Sequence, residues 1–346
     1  MQSHHEYIDR ENRQVRTEAL YADRLVNMIY HQGRERMPSL FKVLTSARMS
    51  SLLGFLNYDS LLGAHIGSIE RFLEKNDIDL SECVDSAQQL DTPRKVFERR
   101  IRYWQTRPMP RDKGAIVSPA DAKVLFGSLA EDSLLFIKDK FFAFEEMLGC
   151  QRQDILESFA GGSFAIFRLT PEKYHYNHVP VDGKAVDFYS LDGAFHSCNP
   201  GAIIQMVTPH SKNRRHVTVI DTDVVGGSGA GLVAMVEVVA LMIGDVQQCY
   251  SPFQYAWPRP MEQGLFLKKG QPKSLFRPGS STTVLFFQPG RVAFDEDLLA
   301  NMQRRDVLSR FSRGFDKSLV ETDVRVRSSI GRGLPRPAQP ISRSTP

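Results

Sequence analysis

A Gly279-Ser280 peptide bond stands in the run FRPGSSTTVLFF, residues 276–287. It lies between a Pro-Gly turn signal and a β-branched, aromatic stretch patterned like a buried strand. By itself such a run predicts a turn feeding a strand. Two upstream segments change its meaning: IVSPADAKV (116–124) and YHYNHVPVDGK (174–184). Together they supply Asp121, His175, His178 and Ser280, the residue types of an activated nucleophile. A hydroxyl is a weak nucleophile until a base takes its proton and a third group orients that base. Each residue has a plainer use. Asp121 suits a turn cap and Ser280 a turn hydroxyl. The His-x-x-His pair, followed by His196, His210 and His216, also suits a metal. No Cys or carboxylate stands with these histidines at ligand spacing, so no metal is expected. The glycine-rich stretch GGSGAG (226–231) lacks the Lys-Ser/Thr of a phosphate loop and precedes no clear helix.

The elements that must position these residues differ along the chain. Residues 13–107 read mainly as helix, with Val96, Phe97, Ile101 and Trp104 forming an apolar stripe. Residues 43–69 are apolar but broken by Gly54, Asn57, Asp59, Gly63 and Gly67. They suit either an amphipathic segment lying on a bilayer or one packed on the rest of the protein. Pro108, Pro110 and the run RDKG mark a boundary. Beyond it come short strand-like runs separated by Gly, Asp and Pro, with helices at FAFEEMLG, QRQDILESF and DEDLLANMQRRDVLSRF. The expected fold is α+β: a helical N-terminal region (1–110), a β-rich domain of mixed and antiparallel sheets (111–331), and a disordered tail (332–346) rich in Pro, Ser and Arg.

Composition narrows the compartment and partners. The 346 residues are 42% hydrophobic and 24% charged, with a net charge of +4. This is too mild for nucleic acid but compatible with an anionic lipid surface. The 4 cysteines lack CxxC spacing and read as reduced thiols. The polar N-terminus lacks the apolar core of a signal peptide. Val224–Val246 has the length of a span but contains Glu237 and the glycine-rich turn, so buried strands are expected there. The chain reads as cytoplasmic and peripherally attached to membrane.

Read as a set over roughly residues 70–331, these motifs resemble the phosphatidylserine decarboxylase family. FERRIRYWQTRPMP (97–110) resembles its Phe- and Arg-rich lead-in, SPAD its SPADG, and IKDKFFAFEEMLG (137–149) its IKG…F…LLG segment. YHYNHVPVDG resembles YHRxHxPxDG, GAFHSCNP (193–200) the step ending in NP, and ETDVRVRSSIG (321–331) the closing ET…V…IG. The resemblance implies a chain that cuts itself before a serine. Asp121 orients His178, His178 deprotonates Ser280, and the Ser280 oxygen attacks the Gly279 carbonyl to give an ester. β-Elimination and hydrolysis then release ammonia and leave a pyruvoyl group at position 280. That cofactor takes the amine of phosphatidylserine and serves as electron sink for decarboxylation, with His175 returning a proton to the carbon. Glycine before the serine admits a strained turn and close approach. The two resulting chains are expected to stay associated, and a homodimer is left open.

The chain departs from the family pattern in places. GSSTT carries an extra hydroxyl residue, making Ser281 the second choice for cleavage. SPADA has Ala122 for glycine; VVALMIGDV (238–246) adds Asp245; KGQPKSLF (269–276) replaces KG-x-E-x-G-x-F. The self-processing residues are thus more intact than those on the substrate side. Two rivals follow: the same chemistry on a free, for example aromatic, amino acid, and a non-processing relative with a structural or binding role.

Overall fold

The computed structural model describes residues 4–18, 20, 73, 78–133, 141–205, 208–240, 245–278 and 281–336. The segment 43–69, the proposed cleavage residues Gly279 and Ser280, residues 241–244 and the tail beyond 336 lie outside the described residues.

Alternating apolar runs bounded by Gly, Pro and Asp become strands, in chain order. These are β1 (Glu6–Asp9), β2 (Val15–Thr17), β3 (Ala115–Val117), β4 (Ala122–Ser128), β5 (Ser163–Leu169), β6 (Tyr176–His178), β7 (Gly183–Leu191) and β8 (Arg215–Asp221). There follow β9 (Leu232–Val239), β10 (Val246–Gln248), β11 (Phe266–Leu267), β12 (Pro272–Phe276), β13 (Ser281–Phe287), β14 (Val292–Phe294), β15 (Thr322–Val324) and β16 (Ser329–Gly333). A 10-stranded sheet runs β11-β7-β8-β9-β13-β5-β4-β15-β1-β2, with two three-stranded sheets, β10-β12-β6 and β14-β16-β3. All pairings are antiparallel except β1 with β15. The architecture is α+β, as expected.

The central strands β4 and β13 are buried along their whole length. That explains why STTVLFF reads as a continuous buried run rather than an alternating one. Gly127 on β4 faces Phe164 on β5, and a Cβ there would sit 2.1 Å from the ring, so only glycine lets the ring lie flat on the strand.

The N-terminal region departs from the helical expectation. Val15–Thr17 is a strand, and the hairpin β1–β2 joins the large sheet through β15. Helices in the described part of this region are short. In α1 (Pro93–Phe97), Thr92 caps the N-terminus by accepting the Lys95 N–H, and Pro93 opens the first turn. α2 covers Tyr103–Thr106. FAFEEMLG and QRQDILESF form α3 (Phe144–Leu148) and α4 (Gln153–Phe159), with α5 (Pro200–Gln205) and α6 (Pro209–Lys212) after them. The run 295–311, read as one helix, forms only α7 (Glu296–Met302) and is broken before α8 (Arg310–Phe315). Val224–Val246 forms a glycine turn followed by β9 and β10, and no helix among the described residues is long and apolar enough to cross a membrane. Sheet pairing reaches Gly333, inside the tail expected from 332.

A buried charge cluster ties the two ends of the chain together. Arg168 on β5 bonds Glu18 at 2.8 and 2.5 Å and Glu321 at 2.9 and 2.6 Å. His5 accepts the Arg310 N–H at Nδ1 (3.1 Å), so its Nε2 carries the proton donated to Glu321 (2.8 Å). His5, Glu18 and Glu321 would suit a metal, but the Arg168 guanidinium is the cation between the two carboxylates. Truncating it leaves Glu18 with only Lys123 at 3.5 Å and His5, and Glu321 with only His5, as buried partners. Arg168→Ala is therefore expected to cost about 3–5 kcal/mol, read as a lower midpoint in urea unfolding; an unchanged midpoint would contradict this account of the cluster.

Candidate active site

The backbone first brings the SPAD loop and the histidine strand together. The His178 N–H donates to the Pro119 carbonyl (2.7 Å), and the Val117 N–H to that of Pro180 (3.0 Å). On the other side β6 pairs with β12, placing His178 opposite Pro272, and the Phe276 N–H donates to the His175 carbonyl (3.0 Å). β12 therefore carries the chain past both histidines immediately before residues 279 and 280. Beyond them, β13 begins at Ser281, opposite Leu169 on β5 and Val239 on β9. Lys123 faces Arg168 across β4–β5 and Arg168 faces Thr282 across β5–β13, so Asp121 precedes β4 at the same end of the strands at which β13 begins.

His178 is fully buried. Its Nδ1 lies 2.9 Å from the Gly270 carbonyl and its Nε2 2.9 Å from the Tyr174 hydroxyl. A carbonyl only accepts, so the proton sits on Nδ1 and Nε2 offers the lone pair. Gly270 has φ +73, and a Cβ there would meet Met109 Sδ at 2.5 Å, so glycine is required for its carbonyl to stand here. The Tyr103 ring closes over the imidazole edge-on at 4.6 Å. Burial pushes His178 down to about 3, with the Arg327 and Arg107 charges acting in the same direction. The ring is thus neutral and able to accept a proton.

Asp121 is buried against other partners than the sequence pattern implies. Arg107 grips it through Nε at 3.1 Å and Nη2 at 2.8 Å, and the Val326 N–H donates to it at 2.7 Å. Burial alone would raise its carboxyl, but Arg107 and these hydrogen bonds hold it below the usual range. Gly270 and Tyr174 orient the His178 ring; the Asp121 charge reaches it through space, favouring the protonated form.

His175 is also fully buried. Its Nδ1 donates to the Lys173 carbonyl (2.7 Å), its ring stacks on Phe97, and its Nε2 has no hydrogen-bond partner among the described residues. Burial, then Arg99, holds it well below the ordinary histidine range. The Ser281 hydroxyl is likewise buried without a partner. Next to it, Thr283 donates to Asn177 (2.8 Å), which reaches Ser274 and Glu237; Glu237 pairs with the buried Lys273 at 2.7 Å. A cleft of about 340 Å³ opens beside Asp121, lined by Arg99, Arg107, Lys173 and Tyr174, with Asp323 and Arg325 from beyond position 280.

Sequence reading picked out the two histidines and Asp121 but not Arg107, Gly270, Tyr174 or Tyr255. Three of these lie inside motifs already quoted, as the last arginine of RYWQTR, the glycine of KGQPK and the first tyrosine of YHYNH. Tyr255 carries no such signal.

A family model described as phosphatidylserine decarboxylase matches residues 94–310. A phosphatidylserine decarboxylase proenzyme of Chlamydia trachomatis serovar L2 is 30% identical over 327 residues, covering 94% of this chain and 96% of that protein. Proenzymes of the same name from Ruminiclostridium cellulolyticum and Fusobacterium nucleatum are 28% and 26% identical, covering 84% and 87% of this chain and 90% and 93% of their own.

Neutral buried histidines make the protein acid-sensitive. His178 is held down to about 3, and His196 and His210 to about 4, by burial. Below about pH 6.5 the unfolded chain binds protons that the folded one refuses, so stability falls with pH. Each histidine adds up to about 1.4 kcal/mol per pH unit over that window. The melting temperature is expected to drop steadily from pH 7 to pH 4.5 in a circular dichroism series; a flat profile would contradict the neutral burial of these rings.

Proposed function

This chain belongs to the phosphatidylserine decarboxylase family, and we propose that it converts phosphatidylserine to phosphatidylethanolamine and CO2 with a pyruvoyl group formed from its own Ser280. It is a carboxy-lyase, of a family whose members are named as proenzymes. The observation that carries the reading is the placing of β13. It starts at Ser281, at the end of the strands where Asp121 precedes β4, and it follows the strand that pairs with the His175–His178 segment.

The neutral Nε2 of His178 receives the Ser280 proton as the hydroxyl oxygen attacks the Gly279 carbonyl carbon. Asp121, held as a carboxylate by Arg107, favours the positive charge that then forms on the ring. The site also suits the group made there: His175 Nε2, beside β12, and Ser281 Oγ, at the start of β13, are buried polar atoms without hydrogen-bond partners among the described residues. The pyruvoyl carbonyl supplies an electron sink for the bond broken as CO2 leaves. His175 holds a lone pair at Nε2 at rest, so it acts as acid only after taking up a proton, which an arriving anionic substrate favours.

The two chains made by cleavage stay associated in this reading, because the smaller one is woven into the larger. β13 is flanked by β5 and β9, β15 by β4 and β1, and β16 pairs with β3.

Ser280→Ala and His178→Ala are each expected to remain uncut on a denaturing gel, since nucleophile and base act as a unit. Asp121→Asn is expected to slow cleavage strongly. His175→Ala is expected to mature but lose roughly 100-fold or more in turnover; normal turnover would remove it from the mechanism. Activity is expected on phosphatidylserine in detergent micelles. Activity on free amino acids alone would favour the soluble-substrate rival.

In this reading the lipid substrate brings the protein to a bilayer surface. Phe253 (57% exposed) and Trp257 (75% exposed) project from the loop 251–260 beside the exposed Arg259, a pairing of large aromatic and cation that suits an anionic lipid interface. Replacing Phe253 and Trp257 together by serine is expected to reduce sedimentation with phosphatidylserine-containing vesicles, and high salt to release much of the wild-type protein. Sedimentation that neither change affects would contradict this surface contact.

A further inference from the structure

The tautomer of His178 has a consequence for the precursor. With Nδ1–H committed to the Gly270 carbonyl, Nε2 carries the lone pair, and the Tyr174 hydroxyl 2.9 Å away must donate to it. Tyr174 is buried, and its oxygen lies 2.8 Å from the Tyr255 hydroxyl. Tyr255 in turn receives the Ile101 N–H (3.1 Å) and has two acceptors for its own hydrogen, Tyr174 and the Ile101 carbonyl (2.9 Å). Tyr174 therefore donates to the imidazole, while Tyr255, tied to both the N–H and the carbonyl of Ile101, packs against the Tyr174 oxygen at 2.8 Å. Both nitrogens of the base are engaged before any proton can come from Ser280.

We propose that Tyr174, backed by Tyr255, is a positioning residue that caps the His178 lone pair in the precursor, so that self-cleavage proceeds only when this contact opens. The proposal rests on the reading of His178 as the base of self-cleavage. The step itself is a simple transfer: the Tyr174 hydrogen leaves Nε2, the Ser280 hydroxyl proton takes its place, and the Ser280 oxygen goes to the Gly279 carbonyl carbon. A hydrogen bond donated to Nε2 stabilises neutral imidazole, so the cap weakens the base as well as blocking it. The other groups acting on the ring are the Arg327, Asp121 and Arg107 charges and the Tyr103 ring, none of which a change at Tyr174 removes.

Tyr174→Phe keeps the ring that stacks on Tyr176 and leaves the Tyr255 hydroxyl its Ile101 partners. The test follows maturation of full-length chain made by cell-free translation, quenched at intervals and resolved on a denaturing gel across pH 3 to 8, the range that brackets the depressed His178. Tyr174→Phe is expected to mature roughly fivefold faster, the size of one net hydrogen bond. The acidic limb of its rate–pH profile is expected to move to higher pH, because the uncapped imidazole protonates more readily. Tyr255→Phe, which leaves the cap without its neighbour, is expected to shift rate and limb in the same direction by less, and it decides the matter if Tyr174→Phe does not fold. A folded Tyr174→Phe, or failing that Tyr255→Phe, with unchanged or slower maturation and an unmoved acidic limb would overturn the proposal. His178→Ala separates the two claims. If it stays uncut while the tyrosine variants behave as wild type, only the cap fails; if it matures normally, the base assignment fails.

Discussion

Strand β13 is hydrogen-bonded along all of its residues to β5 on one side and β9 on the other, and every residue in it is buried. The strand before it, β12, belongs to a different sheet, where it pairs with β10 and with the histidine strand β6. The chain is therefore anchored on both sides of residues 279 and 280, in two sheets that do not share a ladder. In the proposed cleavage, anchors on both sides reduce the backbone entropy that residues 279 and 280 must give up to reach a reactive geometry. The proposed cleavage falls outside the described ladders, so it removes none of the pairings of β12 or β13.

Charge is placed around this crossover in compensated sets. Asp121 is matched by Arg107, Glu237 by Lys273, and Glu18 with Glu321 by Arg168. Such pairs are poor sources of stability, because desolvation offsets most of their attraction. Their value lies in fixing position and protonation state. The Glu237–Lys273 pair and Asn177 hold the Thr283 side chain on β13, so the strand that fixes the crossover is itself oriented from beneath. The histidines, by contrast, lie in surroundings that refuse a proton. The proposed role of His178 as a base requires a neutral ring, and burial favours that form.

Much of this was legible in the residues. The strand following Ser280, the helices at FAFEEMLG and QRQDILESF, and the strand reading of the apolar stretch after the glycine turn all form as their patterns indicate, since local periodicity and core burial agree there. Two features were not. The hairpin β1–β2 joins the sheet through β15, a pairing of residues near opposite ends of the chain that no local pattern encodes. The partner of Asp121 was also hidden: Arg107 stands in the sequence only as one arginine of the Phe- and Arg-rich lead-in, and the fold turns it inward onto Asp121. In the same way Tyr174 and Tyr255, distant in sequence, meet across the site, and the His178 ring is oriented by Tyr174 and by a glycine carbonyl rather than by the carboxylate that a Ser-His-Asp pattern suggests.

The central claim is that the chain is cut between Gly279 and Ser280 and stays folded as one body. Intact-mass spectrometry of the purified protein under native and then denaturing conditions tests it most directly. The account predicts one native species that separates on denaturation into two chains. The smaller should begin at position 280, without a free amino group, and react with a carbonyl reagent. A single denatured species at 39.2 kDa, or a smaller chain beginning at Ser281, would contradict it.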